Sequence, residues 1–338
     1  MEIKKIDTII VGQGIAGSLV AFMLHQKNIP FLIIDPSSPQ TASKIAAGMF
    51  TPLSGKRKTI HPLSLQQIPI AINIYKAISK LIGYNIINLT NICQLFDSVE
   101  EKSLLQSKFL QPSFAPYINA TSKELSGIYN NNGAYEITHS GWVNCELWMK
   151  YFKSWLKRND QFLEAKFEYQ DLQITDDRME YKGLAFKNII FCEGYSAMNN
   201  PFFKETIIPC KGDVLTITSD DFTSDQIIKK NGIYLVPSAA NSFKAGATYQ
   251  WDNDSAKPDE ADKLLIEGQL KNMLTNPFKI INHQSAIRPT TQNRELIVSQ
   301  HQQHKGMFMF NGLGTKGVLQ GPWWANRMVA LYLQTNLK

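Results

Sequence analysis

"DTIIVGQGIAGSLVAFMLHQKNIPFLIIDPS", residues 7–37, holds Gly12, Gly14 and Gly17 in a G-x-G-x-x-G spacing. Thr8 to Val11 is a β-branched run, the composition of a buried parallel strand. Apolar Ile15, Leu19, Phe22 and Met23 recur at helical spacing up to Gln26, and Asn28 offers a stop. Phe31 to Ile34 reads as a second strand ending in Asp35. Each part has a physical job. Gly12 permits the tight turn, Gly14 lets a pyrophosphate approach the backbone, and Gly17 lets the helix lie close on the strand. The helix start, with Ile15 and Ala16, offers free N–H groups and a partial positive charge to phosphates. Asp35 stands 18 residues after Gly17, where an acid hydrogen-bonds a ribose hydroxyl. With no Arg after it, Asp35 argues against a 2′-phosphate and so against NADP. NAD and FAD both stay open on these residues.

The chain has 338 residues, too many for one core and suited to two domains. Hydrophobic residues make up 43% and charged residues 19%, the balance of a globular enzyme. No run of 18 apolar residues exists, so no membrane-spanning helix is expected. The nucleotide strand starts too early for a cleaved signal peptide, which makes a cytoplasmic location the expectation. Four separated cysteines form no C-x-x-C, and His301 and His304 sit in a polar stretch that reads as a solvated turn. Neither a disulfide framework nor a metal site is expected. The net charge of +6 includes the short run Gly55–Lys58, "GKRK", which reads as a solvated loop or a contact for an anion or RNA.

Further along, Thr41–Arg57 reads as a loop and "PLSLQQIPIAINIYKAISKLIG" as a long helix despite Pro69. "NICQLFDSVEEKSLLQSKF" reads as strand, turn and helix, and Glu146–Arg158 as an amphipathic helix. Leu184–Ala197 reads as a buried strand ending at Gly194. "KGDVLTITSD", "GIYLVPS" and "FKAGATYQW" read as successive antiparallel strands. The C-terminal segment reads as a strand, a glycine loop and a helix. Nucleotide-fold material therefore opens and closes the chain, with a different sheet between, which disfavours a simple NAD dehydrogenase.

Several of these segments together resemble the D-amino acid oxidase and glycine oxidase family of FAD-dependent oxidoreductases. The glycine motif with Asp35 resembles its FAD-binding unit. "SKIAAGMFTP" resembles its flavin-side loop, which implies Ser43, Ala46, Ala47 and Gly48 as cofactor contacts. "IIFCEGYSA" resembles the strand whose glycine, here Gly194, approaches the FAD, though Cys192 and Glu193 stand where small residues are usual. "PCKGDVLTI", "IYLVPS", "AGAT" and "AIRPTT" resemble the strands of the substrate site. "NGLGTKG" resembles the loop under the flavin ring, which implies Gly312, Gly314, Thr315, Lys316 and Gly317.

The fold implied is α/β: a Rossmann-like FAD domain with an interleaved α+β substrate domain built on an antiparallel sheet. The division expected is 1–60, 135–205 and 285–338 for the first, and 61–134 and 206–284 for the second. Backbone donors of the 312–317 loop would stabilise negative charge on a reduced flavin. Lys316 adds a charge there or is an ordinary loop lysine. The family's arginine, here Arg288, pairs with the substrate carboxylate, and Tyr234 assists it. Either is otherwise a structural side chain. Tyr249 and Trp251 line the same pocket or pack in the sheet. No Cys follows Cys210, so the late-cysteine flavin linkage of some relatives is not expected and FAD is non-covalent. "TTQNREL" departs from the family's aspartate-bearing stretch.

The leading reading is oxidation of the C–N bond of a small amino acid or secondary amine, by hydride transfer to flavin N5. O₂ or another acceptor then takes the electrons. An alternative is a flavoprotein trimming a carboxymethylaminomethyl group on tRNA wobble uridine, although no basic stripe for nucleic acid is evident. A further alternative is a flavin-binding protein without turnover.

Overall fold

The β-branched strand Thr8–Val11 is buried at all four positions and forms the middle of a sheet. It pairs in parallel with Phe31–Asp35 on one side and Asn188–Phe191 on the other. The full order of the six strands is Phe162–Glu164, Phe31–Asp35, Thr8–Val11, Asn188–Phe191, Met307–Asn311 and Ile297–Gln300, with only the last pair antiparallel. In chain order, Phe31–Asp35 and Phe162–Glu164 add on one side of Thr8–Val11, and Asn188–Phe191 is the first to add on the other. A crevice opens at the carboxyl ends of such strands. The computed structural model describes residues 6–55, 58–121, 126–175, 178–220, 222–239, 241–251 and 253–336.

Helices Ile15–Gln26, Cys145–Arg158 and Gly317–Asn336 cover this sheet through one apolar cluster that includes Leu19, Phe152, Phe308 and Met328. The helix Pro62–Ile82 joins the same cluster through Ile68, Ala71 and Ile78, although the sequence division placed it with the substrate unit. Pro62 starts it and Gly83, at φ 70°, caps it. Its Tyr75 hydroxyl donates to the Val318 carbonyl at 2.8 Å, tying this helix to the C-terminal one.

The second sheet has nine strands and is built on Ile208–Thr218. That strand pairs antiparallel with Lys279–Thr290 along its whole length, with Cys210 opposite Arg288 and Gly212 opposite Ala286. Ser242–Gly246 and Gln250–Trp251 lie on its other side, and Ile233–Ala239 follows. Period-two alternation sorts the strand's side chains. Leu215 and Ile217 pack in a cluster with Ile266 and Leu270 of the helix Glu260–Lys271, whereas Val214 packs in another with Ala247 and Ala286. Strands Ile92–Leu95 and Ala134–Ile137 extend this sheet, so residues 135–137, grouped from the sequence with the nucleotide unit, pair in the second sheet.

Leu184–Ala197 is not one strand. Leu184–Phe186 closes a three-stranded antiparallel sheet, Asn188–Phe191 enters the parallel sheet, and Gly194 opens a 3-10 turn to Asn199. The Thr41–Arg57 stretch contains a one-turn helix, Ala42–Ile45, and the two-residue strands Met49–Phe50 and Leu53–Ser54. Within the basic run, Lys56 and Arg57 lie outside the described residues, and Lys58 Nζ sits 3.7 Å from Glu101 Oε1. Among the described residues no helix is long and apolar enough to cross a membrane.

Candidate active site

A cavity of about 400 Å³ runs from the carboxyl ends of the parallel strands to the face of the second sheet. Gly12, Gly14, Ile15, Ala16 and Asp35 line its nucleotide end. Ser43, Ala46, Ala47 and Gly48 form one wall, and Gly194, Gly314, Thr315 and Gly317 contribute to others. Tyr234 and Arg288 stand at the far end. Gly17, Gly312 and Lys316 do not line it.

The nucleotide end follows from close packing. A Cβ on Gly17 would overlap the Gly12 carbonyl oxygen, so the bare glycine lets helix meet strand. Gly12 has φ +101° and lies against the Cys192 carbonyl, a conformation and a space that no side chain tolerates. Asp35 is aimed by two backbone donors. Its Oδ2 accepts from Gln13 N at 2.7 Å and its Oδ1 from Ser37 N at 2.6 Å. Gly14 supplies no side-chain cap and the first helical turn has no acidic residue. Ser43 Oγ accepts from Ile15 N at 3.0 Å and thereby joins the flavin-side loop to the helix start.

Glu193 and Cys192, the unusual pair before Gly194, also line the cavity. Glu193 is anchored, with Tyr169 Oη donating at 2.5 Å and Asn200 Nδ2 at 2.8 Å. Burial raises its carboxyl, and these two donors partly counter that. Burial also pushes the Cys192 thiol well above its ordinary value, so it stays protonated. Asn311 stands outside the site residues named from the sequence. Its Nδ2 donates to the Gly194 carbonyl at 2.9 Å and its Oδ1 accepts from Gly312 N at 2.8 Å, which ties the two glycine turns together. Its place at the head of "NGLG" was the available signal. Gly312 serves that turn, since a Cβ there would meet the Thr291 methyl at 2.9 Å. Lys316 is exposed.

At the far end, Arg288 is held from several sides. Its Nη1 donates to the Lys211 carbonyl at 3.2 Å and the Thr248 carbonyl at 3.1 Å, with Cys210 Sγ at 3.8 Å. The Tyr249 ring stacks 4.6 Å from its Cζ. Nε and Nη2 have no acceptor among the described residues. Burial raises the Tyr234 phenol, and Arg288 partly offsets this, so Tyr234 is a neutral donor at ordinary pH. Trp251 does not line the cavity and lies under Arg294 instead. Among the lining residues the acids are Asp35 and Glu193, and Arg288 is the one permanent cation.

These residues fit an FAD. A helix start with no acid in its first turn, beside an acid at a strand end, suits the adenosine diphosphate half, and small residues at Ala46 to Gly48 and Gly314 leave room for a flat ring. The geometry is that of a dinucleotide cavity between a parallel sheet and a second, largely antiparallel sheet. Residues 7–331 match the family "FAD dependent oxidoreductase", of which D-amino acid oxidase is the namesake, and the chain belongs to that family. It is therefore an FAD-dependent enzyme, and the reading of a flavin binder without turnover falls away. Among solved structures it is similar to glycine oxidase from Bacillus cereus, at a TM-score of 0.78 and 19% identity, covering 98% of this chain and 95% of that one. Iminodiacetate oxidase from a Chelativorans species gives 0.80 and 16%, covering 97% and 95%. L-amino acid deaminase from Proteus vulgaris gives 0.78 and 14%, covering 98% and 94%. At such identities the likeness shows the fold.

Proposed function

We propose that this enzyme oxidises the C–N bond of a small amino acid or secondary amine that carries a carboxylate. The observation that carries this reading is the half-engaged guanidinium of Arg288 beside Tyr234 in the FAD cavity. The free edge, Nε and Nη2, matches the two oxygens of a carboxylate. Tyr234 adds a neutral donor. Glycine oxidase and iminodiacetate oxidase, two of the similar structures, act by name on amines of this kind.

FAD, when bound, supplies the acceptor for the hydride that leaves the carbon next to nitrogen. The chain's own residues orient and enclose. Arg288 fixes the carboxylate, and Val214, Ala247 and Ala286 wall the substrate end with apolar surface. That end presents no Asp, Glu or His among the described residues, so the amine reacts as its free base. A tRNA substrate finds no support among the described residues, where Lys58 is drawn to Glu101.

Anaerobic mixing with a panel of neutral amino acids and N-alkyl glycines tests the reading. At least one is expected to bleach the flavin absorbance, and a panel that leaves it unchanged would count against C–N oxidation. The cofactor is held without a covalent bond, because the cavity's one cysteine is the protonated Cys192 at the nucleotide end. Acid precipitation should release a yellow compound of FAD mass; flavin retained in the pellet would contradict this.

Tyr234→Phe should weaken carboxylate substrates by about 0.5–3 kcal/mol, the range from a neutral to a charged hydrogen bond. Because burial keeps the phenol protonated, the loss should persist above the ordinary tyrosine pKa of about 10. Steady-state KM for parent and variant at neutral and alkaline pH measures it. A difference that vanishes near pH 10 would show that Tyr234 ionises normally.

A further inference from the structure

The reverse face of the strand Ile208–Thr218 carries a charged network that the reaction does not use. Lys211 and Asp213 are 1% and 0% exposed, on the side facing the helix Glu260–Lys271. Lys211 Nζ is 3.2 Å from Asp213 Oδ1, while Asp213 Oδ2 accepts from Asp259 N at 2.7 Å and lies 2.8 Å from His283 Nε2. The backbone of this face is joined to Arg288 through Thr248. Thr248 Oγ1 accepts from Asp213 N at 3.0 Å and donates to Asp262 Oδ2 at 2.7 Å. The same residue's carbonyl accepts from Arg288 Nη1 at 3.1 Å.

We propose that Thr248 is a positioning residue for Arg288, clamped by Asp213 and Asp262 so that its carbonyl holds one end of the guanidinium and leaves the Nε–Nη2 edge for substrate. The inference rests on the carboxylate reading of Arg288. Gly212 completes the seat. A Cβ there would overlap Nη1, Nη2 and Cζ of Arg288, so the guanidinium lies directly on the backbone. With Gly212 against it, Tyr249 over it and two carbonyls on Nη1, the group has little freedom. A guanidinium fixed before substrate arrives loses less freedom on binding than one left loose. Thr248 is 6% exposed and does not line the cavity, so its influence on substrate passes through Arg288.

The test uses the FAD-loaded enzyme with Thr248→Val, Thr248→Ser, Asp262→Ala and Arg288→Met. Acetate serves as an unreactive carboxylate, its binding read from the flavin absorbance. Thr248→Val keeps shape but loses the hydroxyl, and should weaken acetate about tenfold, the scale of a hydrogen bond to a charged group. The limiting rate of flavin reduction should change far less than KM. Thr248→Ser should behave as parent. Asp262→Ala, which removes only the hydroxyl's acceptor, should weaken acetate about threefold, and it decides the matter if Thr248→Val does not fold. If Arg288→Met loses acetate while Thr248→Val and Asp262→Ala bind it as parent does, the positioning role is wrong. If Arg288→Met itself binds acetate normally, the carboxylate reading beneath it is wrong.

Discussion

Arg288→Met should leave the flavin in place and lower kcat/KM for carboxylate-bearing amines by roughly a hundredfold or more. Methionine matches much of the arginine's length and apolar stem but offers no donor. The lost interaction is a charge-assisted, two-point contact, worth about 3 kcal/mol once FAD and substrate have excluded water. Each 1.4 kcal/mol is a factor of ten. Arg288→Lys should recover only part, because an ammonium lacks the planar fork and cannot span both the Thr248 carbonyl and a substrate. Amines without a carboxylate should be poor substrates for the parent and change little in the variant. Steady-state and single-turnover rates for both variants provide the check. Loss of flavin on purification of Arg288→Met would instead mark the side chain as a prop for the cofactor.

The second large effect is expected at Gly14. Its φ of −84° is open to any residue, so the argument there concerns space. A Cβ alone would approach Ser43 Oγ to 2.9 Å, and that hydroxyl accepts from Ile15 N at the helix start. Gly14→Val adds two methyl groups where the pyrophosphate should pass. Overpacking costs about 1–3 kcal/mol, before any loss of phosphate contacts. FAD affinity should therefore fall by about a hundredfold or more, with a lower melting temperature that excess FAD restores in part. Titration of apoprotein with FAD, followed by flavin fluorescence, measures the affinity. An unchanged dissociation constant would show that the phosphates run elsewhere.

The nucleotide end was legible because its signals are local. Strand, glycines, helix and Asp35 all fall within residues 8–35, and chain connectivity alone brings them together. Gly14 and Asp35 line the cavity for that reason. Arg288 and Tyr234 could be picked out only through the family likeness, since 54 residues separate them and only the paired strands between them bring them into one cavity. "PCKGDVLTI" and "AGAT" resemble substrate-site strands, but what Thr248, Gly212 and Asp213 do within them was beyond reach. Their roles depend on the register of Ile208–Thr218 against Lys279–Thr290, and no pattern of apolar spacing encodes a partner about 70 residues away. Pro62–Ile82 was legible as a helix from its periodicity, but its partner was not. What assigns it is the fit of Ile68, Ala71 and Tyr75 against the C-terminal helix. Lys316 came in through the family likeness, as a charge for the flavin or an ordinary loop lysine; the side chain is exposed and does not line the cavity.

On the proposed reading, this FAD enzyme recognises a carboxylate next to the C–N bond it oxidises. Stopped-flow flavin reduction by the parent under anaerobic conditions, with each amino acid that bleaches the flavin set against its decarboxylated amine, tests this most directly. The amino acid should reduce the flavin at least about a hundredfold more efficiently than its amine, the same factor that Arg288→Met removes. Equal efficiencies for the two members of the pair would contradict it.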